Sequence, residues 1–180
     1  MNKATYFIAC RLRRVAGPVT SAILVISLLP LLSGCYESSF PLDTAPQAAL
    51  DQRLLDSWRC LVARPNIDEA AFSLTIGTSR AGVYAVTFQA LDEKPESYEA
   101  HTSVIDGEPI LNIIESNSKS WVFGRSQFLR PDILQVQIVD DEAMGGKYDK
   151  PATLRQAIAR RLKNPELFSD LCTCVRVRKP

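Results

Sequence analysis

The chain has 180 residues, a formal net charge of +1 and 46% hydrophobic residues. That length supports one domain with one core, and the near-neutral charge gives no electrostatic reason to expect nucleic-acid binding. No internal repeat or low-complexity tract points to a solenoid or a disordered chain.

Residues 1–14 carry Lys3, Arg11, Arg13 and Arg14 and no acid, and Ala22–Leu32 (AILVISLLPLL) is an apolar run. Eleven residues rise about 16 Å as a helix, too short for a hydrocarbon core of about 30 Å, so the pair reads as a secretory signal rather than a membrane span. Leu32-Ser33-Gly34-Cys35 closes the run. It resembles the lipobox of bacterial lipoproteins: an aliphatic residue, two small residues, then cysteine. The resemblance implies cleavage before Cys35, lipidation of its thiolate and a membrane anchor made by the acyl chains. Tyr36 stands where inner-membrane retention would have aspartate, so the implied address is the outer membrane, facing the periplasm. Loss of residues 1–34 removes four cations and no acid, taking the charge from +1 to −3.

The mature chain divides into residues 35–49, read as the lipidated cysteine and a two-proline tether, and a domain over 50–180. Leu50, Leu54 and Leu55 suggest a short helix. From Asp56 the apolar period becomes two. Strands are expected at Ser57–Ala63, around Phe72–Ile76, Tyr84–Phe88, Tyr98–Ile105, Glu108–Glu115, Lys119–Gly124 and Ile133–Val139. Asp106-Gly107 suits the positive φ angles of a two-residue hairpin. Thr153–Gln156 predicts a capping box opening a helix. Its apolar stripe is Leu154, Ala157, Ile158 and Leu162, with Arg155, Arg160 and Lys163 facing water. Leu171–Arg178 closes the chain as a strand. The fold class is mainly β: an antiparallel meander of about eight strands, barrel-like, with the late helix covering an edge or an open end.

A short helix, a tryptophan entering the first strand and a meander with a late helix resemble the lipocalin/calycin pattern. Asp56-Ser57-Trp58 stands where lipocalins have Gly-x-Trp, so the glycine is missing. The resemblance implies an arginine packed over that tryptophan, a part for Arg176 or Arg178. The layout also resembles a group of small bacterial lipoproteins that implies a fold and an address but no activity.

Cys60, Cys172 and Cys174 remain in an oxidising compartment, which suggests one disulfide and one thiol. Cys60 pairs with Cys174, or with Cys172, if first and last strands are neighbours; three buried thiols are the alternative. No further His or Cys lies nearby to complete a metal site, so no metal and no cofactor are expected. His101, the only histidine, shares its strand face with Glu99 and Ser103 and reads as a surface residue. Asp140-Asp141-Glu142 before Gly145-Gly146 lacks the spacing of a calcium loop and reads as solvated. No nucleophile and base stand at a motif spacing, so an enzyme is not expected. The leading expectation is a lipid-anchored module acting through surface contacts with another envelope component. The alternative is a carrier of a small apolar ligand lined by Trp58, Tyr84, Phe88, Trp121 and Phe123.

Overall fold

A computed structural model describes residues 34–62, 71–90 and 93–177. The basic segment, the apolar run, Leu32, Ser33 and Arg178 lie outside the described residues. Among those described, no helix is long and apolar enough to cross a membrane.

The elements are β1 (Glu37–Ser38), a 3-10 turn (Gln52–Leu54), β2 (Ser57–Val62), β3 (Ala71–Arg80), β4 (Val83–Ala90), β5 (Glu96–Ile105) and β6 (Glu108–Glu115). There follow β7 (Trp121–Arg130), β8 (Ile133–Val139), α1 (Asp141–Met144), α2 (Pro151–Arg161), a second 3-10 turn (Pro165–Leu167) and β9 (Phe168–Arg176). Strands β2 to β9 pair antiparallel in sequence order, and β9 returns to β2, so eight strands close into a barrel without a free edge. Asp106 (φ 51°) and Gly107 (φ 86°) make the β5–β6 turn in the left-handed region that aspartate and glycine tolerate. At Gly124 the walls approach so closely that a Cβ would lie 2.6 Å from the Gln137 carbonyl oxygen.

Residues 36–49 are not a tether. Tyr36 and Leu42 are buried, at 1% and 2% exposure. Tyr36 N–H donates to Val139 O and Asp141 N–H to Gly34 O, both at 2.9 Å, while Cys35 bridges antiparallel to Asp140. β1 thus takes the place beside β7 that β8 vacates on turning into α1, pairing with Trp121 and Val122. The segment then crosses the outer wall. Leu42 N–H donates to Asn112 Oδ1 (2.7 Å), and Gln47 N–H donates to Thr102 O (2.8 Å). Aromatic and aliphatic side chains spaced along a proline-containing strap gain more by burial than by solvation.

The helix α2 lies against the outer wall rather than over an open end. Leu154, Ala157 and Ile158 join Tyr36, Phe123 and Val139 in a second apolar cluster outside the barrel. The expected capping box does not form: the helix starts at Pro151 with Lys150 as its N-cap, three residues earlier, and the Thr153 hydroxyl donates back to Lys150 O (2.8 Å). Proline at the first helical position, with its φ preset, fixes that start. Arg155, expected in water, is half-buried instead; its guanidinium pairs with Asp43 (2.7 Å) and donates to Val104 O, tying helix, strap and β5 together.

Candidate functional site

One end of the lumen is shut by a stack of side chains brought by the first and last strands of the barrel, β2 and β9, and by β7. Trp58, on β2, is fully buried, and its Nε1 donates to Leu54 O (3.0 Å). The Arg176 guanidinium, at the end of β9, lies 4.5 Å over the indole ring. It also pairs with Asp56 (2.7 Å) and donates to Arg53 O (2.8 Å). Phe128 packs against Trp58 from β7, and Arg53 caps Phe128. Of the two arginines the sequence offered for this place, Arg176 takes it. Antiparallel neighbours put Trp58 and Arg176 directly opposite each other, which is why first and last strands build the plug jointly.

Below the plug is a cavity of about 90 Å³. It runs from Leu54 past Tyr84, Val86 and Phe88 on β4 and Leu134, Val136 and Ile138 on β8 to Leu171 on β9. Leu74, Ile76, Val86, Leu111, Ile113 and Val136 face this space and are only half-buried, although they belong to the barrel interior. An eight-stranded barrel has room either for side chains that fill it or for one small ligand, and here the side chains stop short of filling it.

The polar groups around the cavity are few. The Tyr84 hydroxyl accepts from Asp51 N–H (2.7 Å), and burial raises its pKa. The Tyr98 hydroxyl donates to Glu96 Oε2 (2.6 Å). Ser126 and Cys172 complete the polar lining. Burial pushes the Cys172 thiol up to about 12, so it stays protonated and is no nucleophile at neutral pH.

Cys60 and Cys174 are joined, with an Sγ–Sγ distance of 1.97 Å, at directly opposed positions of β2 and β9. The Cys172 Sγ lies 3.6 Å from Cys174 Sγ. The three sulfurs lie within 4.8 Å of one another. In the disulfide state only one of them is a thiol, so the cluster offers no thiolate set to a metal ion.

The residues expected to line a ligand site divide. Tyr84 and Phe88 line the cavity, and Trp58 belongs to the plug above it. Trp121 and Phe123 do not face the lumen: both sit on the outer face of β7, Phe123 buried in the outer cluster and Trp121 packed against it. Alternation put the pair on one face, and the docking of strap and helix made that face the outer one. The lining contributed by Leu74, Ile76, Leu111 and Ile113 was visible only as strand alternation.

His101 is likewise not a surface residue. It is 6% exposed, its Nε2 lies 2.8 Å from Asp43 O, and its ring meets Trp121 edge-on. Beside it Asn112 is fully buried, accepting from Leu42 N–H and donating from Nδ2 to Ser103 Oγ (2.9 Å) and His101 O (3.3 Å). These groups hold the strap to the wall. Asp140 is also not solvated: it is 8% exposed and caps α1, accepting from Glu142 and Ala143 N–H.

No protein-family model matches the chain. No curated protein matches it either. Among solved structures, a redesigned β-barrel is similar over 75% of this chain and 100% of its own, with 9% identity and a TM-score of 0.41. The class of the protein is set by its own strand pairing: a closed, antiparallel, eight-stranded β-barrel.

Proposed function

We propose that the chain is a lipid-anchored envelope protein, acylated at Cys35 and facing the periplasm from the outer membrane. In this reading it is a non-catalytic carrier of a small apolar ligand in the manner of lipocalins. The observation that carries the reading is the half-buried aliphatic lining of the lumen. Apolar side chains that could have filled the interior leave a channel instead, and apolar pockets with few polar groups are the usual form of small-molecule sites. The plug of Trp58 under Arg176 supports the lipocalin comparison. The Cys60–Cys174 bond suits the oxidising compartment that the export signal implies.

The test is native mass spectrometry of a secreted Cys35→Ser form, purified gently, which keeps residues 36–49 but takes no lipid. A discrete added mass that leaves on denaturation is expected. A bare mass over repeated preparations would sink the carrier reading.

A second reading, contact with another envelope component, is favoured by one feature. Leu61, Val175 and Val177 are 54%, 51% and 44% exposed, on the adjoining outer faces of β2 and the end of β9. In this reading, Leu61→Lys with Val175→Lys abolishes co-purification of a specific partner while leaving ligand occupancy unchanged. Occupancy that falls with partner loss would count against it.

A further inference from the structure

Three sulfurs meet where the barrel closes, and the Cys60–Cys174 bond uses two of them. Cys60 stands directly opposite Cys174, and Cys172 shares the inward face of β9, opposite Val62. Cys172 Sγ lies 3.6 Å from Cys174 Sγ, and the three sulfurs lie within 4.8 Å of one another. Two strands thus hold a triangle of sulfurs, each side chain at 1% exposure or less. Two neighbouring cysteines would suffice for the bond, so the third sulfur is left for another use.

The surroundings decide which ligand suits the triangle once the bond is reduced. The sulfurs belong to an apolar cluster with Trp58, Phe72 and Leu134, and among the described residues no histidine or carboxylate joins them. Arg176, the next inward residue of β9, has its charge met by Asp56. A thiolate is disfavoured in such a place, and burial already pushes the Cys172 thiol up to about 12. Zinc takes deprotonated sulfur and a fourth donor, and three thiolates on copper(I) would leave an uncompensated buried anion. A trivalent centre that exchanges three hydroxides for three thiols gives a neutral product instead. Its lone pair stands in place of a fourth ligand. Cys172 lines the cavity, so apolar space lies beside the cluster for that lone pair.

We propose that the reduced cluster of Cys60, Cys172 and Cys174 is a three-thiol site for trivalent arsenic, taken up as arsenous acid. A dithiol reductant first supplies two electrons and two protons to the Cys60–Cys174 bond and closes to a disulfide itself. Three S–H and three As–O bonds then break and three As–S bonds form. Each thiol proton leaves with a hydroxide as water, and arsenic keeps its oxidation state. The adduct joins β2 to β9 again, as the disulfide did. The site does not depend on what the cavity carries.

The experiment uses the secreted Cys35→Ser form, reduced without oxygen by a phosphine. The phosphine is removed before one equivalent of arsenous acid is added. Native mass spectrometry should show one arsenic gained and three hydrogens lost, with no hydroxyl retained. The urea midpoint, lowered by reduction, should return most of the way toward that of the oxidised protein. If reduction alone unfolds the barrel, the same addition should restore the near-ultraviolet aromatic signal. Cys172→Ala, qualified by its Cys60–Cys174 bond and far-ultraviolet spectrum before reduction, should bind arsenic about a hundredfold more weakly and keep a hydroxyl on it.

A hydroxyl retained in the parent overturns the proposal, since that is the adduct of any two neighbouring thiols. Equal affinity in Cys172→Ala overturns it, as does equal affinity of the parent in denaturing urea, where the thiols are present but not gathered. Arsenic that binds without raising the midpoint or restoring the aromatic signal also overturns it. Displacement of arsenic by an equal concentration of zinc refutes the preference for a neutral adduct and the proposal with it.

Discussion

Removing the Cys60–Cys174 bond is expected to cost this barrel about a third or more of a typical domain's stability. The bond closes a loop with a sequence separation of 114 residues. For a loop of that length the chain-entropy relation gives about 16 cal/mol/K, or about 4.8 kcal/mol at 25 °C. Marginal domains have only about 5–15 kcal/mol in total. The reason is topological: β2 and β9 are the barrel's closing pair, so without the bond the unfolded chain must bring its two ends together unaided. The assay is urea unfolding of Cys60→Ala/Cys174→Ala against the parent. With a slope of about 2 kcal/mol per molar urea, the midpoint should fall by about 2.4 M. Peptide mapping of the parent should find Cys60 joined to Cys174, with Cys172 alkylated only after unfolding. A loss under about 1 kcal/mol, or a mapped Cys172–Cys174 bond, would refute the reasoning.

Asn112→Leu should free the strap: it removes the acceptor of Leu42 N–H in a fully buried site, costing about 1–3 kcal/mol, and limited proteolysis should then cut within residues 39–49. Arg176→Lys keeps the charge but cannot stack on Trp58 while reaching both Asp56 and Arg53 O. A loss of about 1–2 kcal/mol in thermal unfolding is expected, and an unchanged melting temperature would contradict the plug. Cys172 has a folded pKa of about 12 against an ordinary 9.0. Between those values the folded state keeps a proton that the unfolded state has lost, so stability falls as pH rises from 9 toward 12. Cys172→Ala should flatten that part of the urea-midpoint profile, and superimposable profiles would exclude the effect.

The strands themselves were plain in the sequence. Alternation in Phe72–Ile76, Tyr84–Phe88 and Ile133–Val139, the Asp-Gly turn and the late helical period are local signals, and each survives into the fold because the barrel asks for nothing different locally. Boundaries shifted where the signal was mixed. The strand expected at Lys119–Gly124 runs on to Arg130, because its outer half alternates against β8 with polar residues on both faces.

Which face of a strand is the inside is a different kind of question. Trp121 and Phe123 share a face with Tyr36 and α2, and Tyr84 and Phe88 share one with the cavity, yet both pairs look alike in sequence. Period-two alternation marks two faces without assigning either to the lumen. His101 was misread for the same reason: a polar residue on an outward face is solvated only if nothing lands there, and here the strap does. That strap, Tyr36 to Ala49, has no period at all, because a segment laid across a wall is held by side-chain and backbone bonds to strands 55 or more residues away.

The sequence by itself determined the strands of the barrel and the positive-φ hairpin at Asp106-Gly107, since both are encoded within a few neighbouring residues. Only the tertiary structure decided that the barrel closes through Cys60 and Cys174, that α2 clamps the outer wall, and that the end holding Cys35 lies opposite the Trp58 plug. Those facts depend on which distant surfaces meet, and that is settled by the mutual burial of apolar faces rather than by any local pattern.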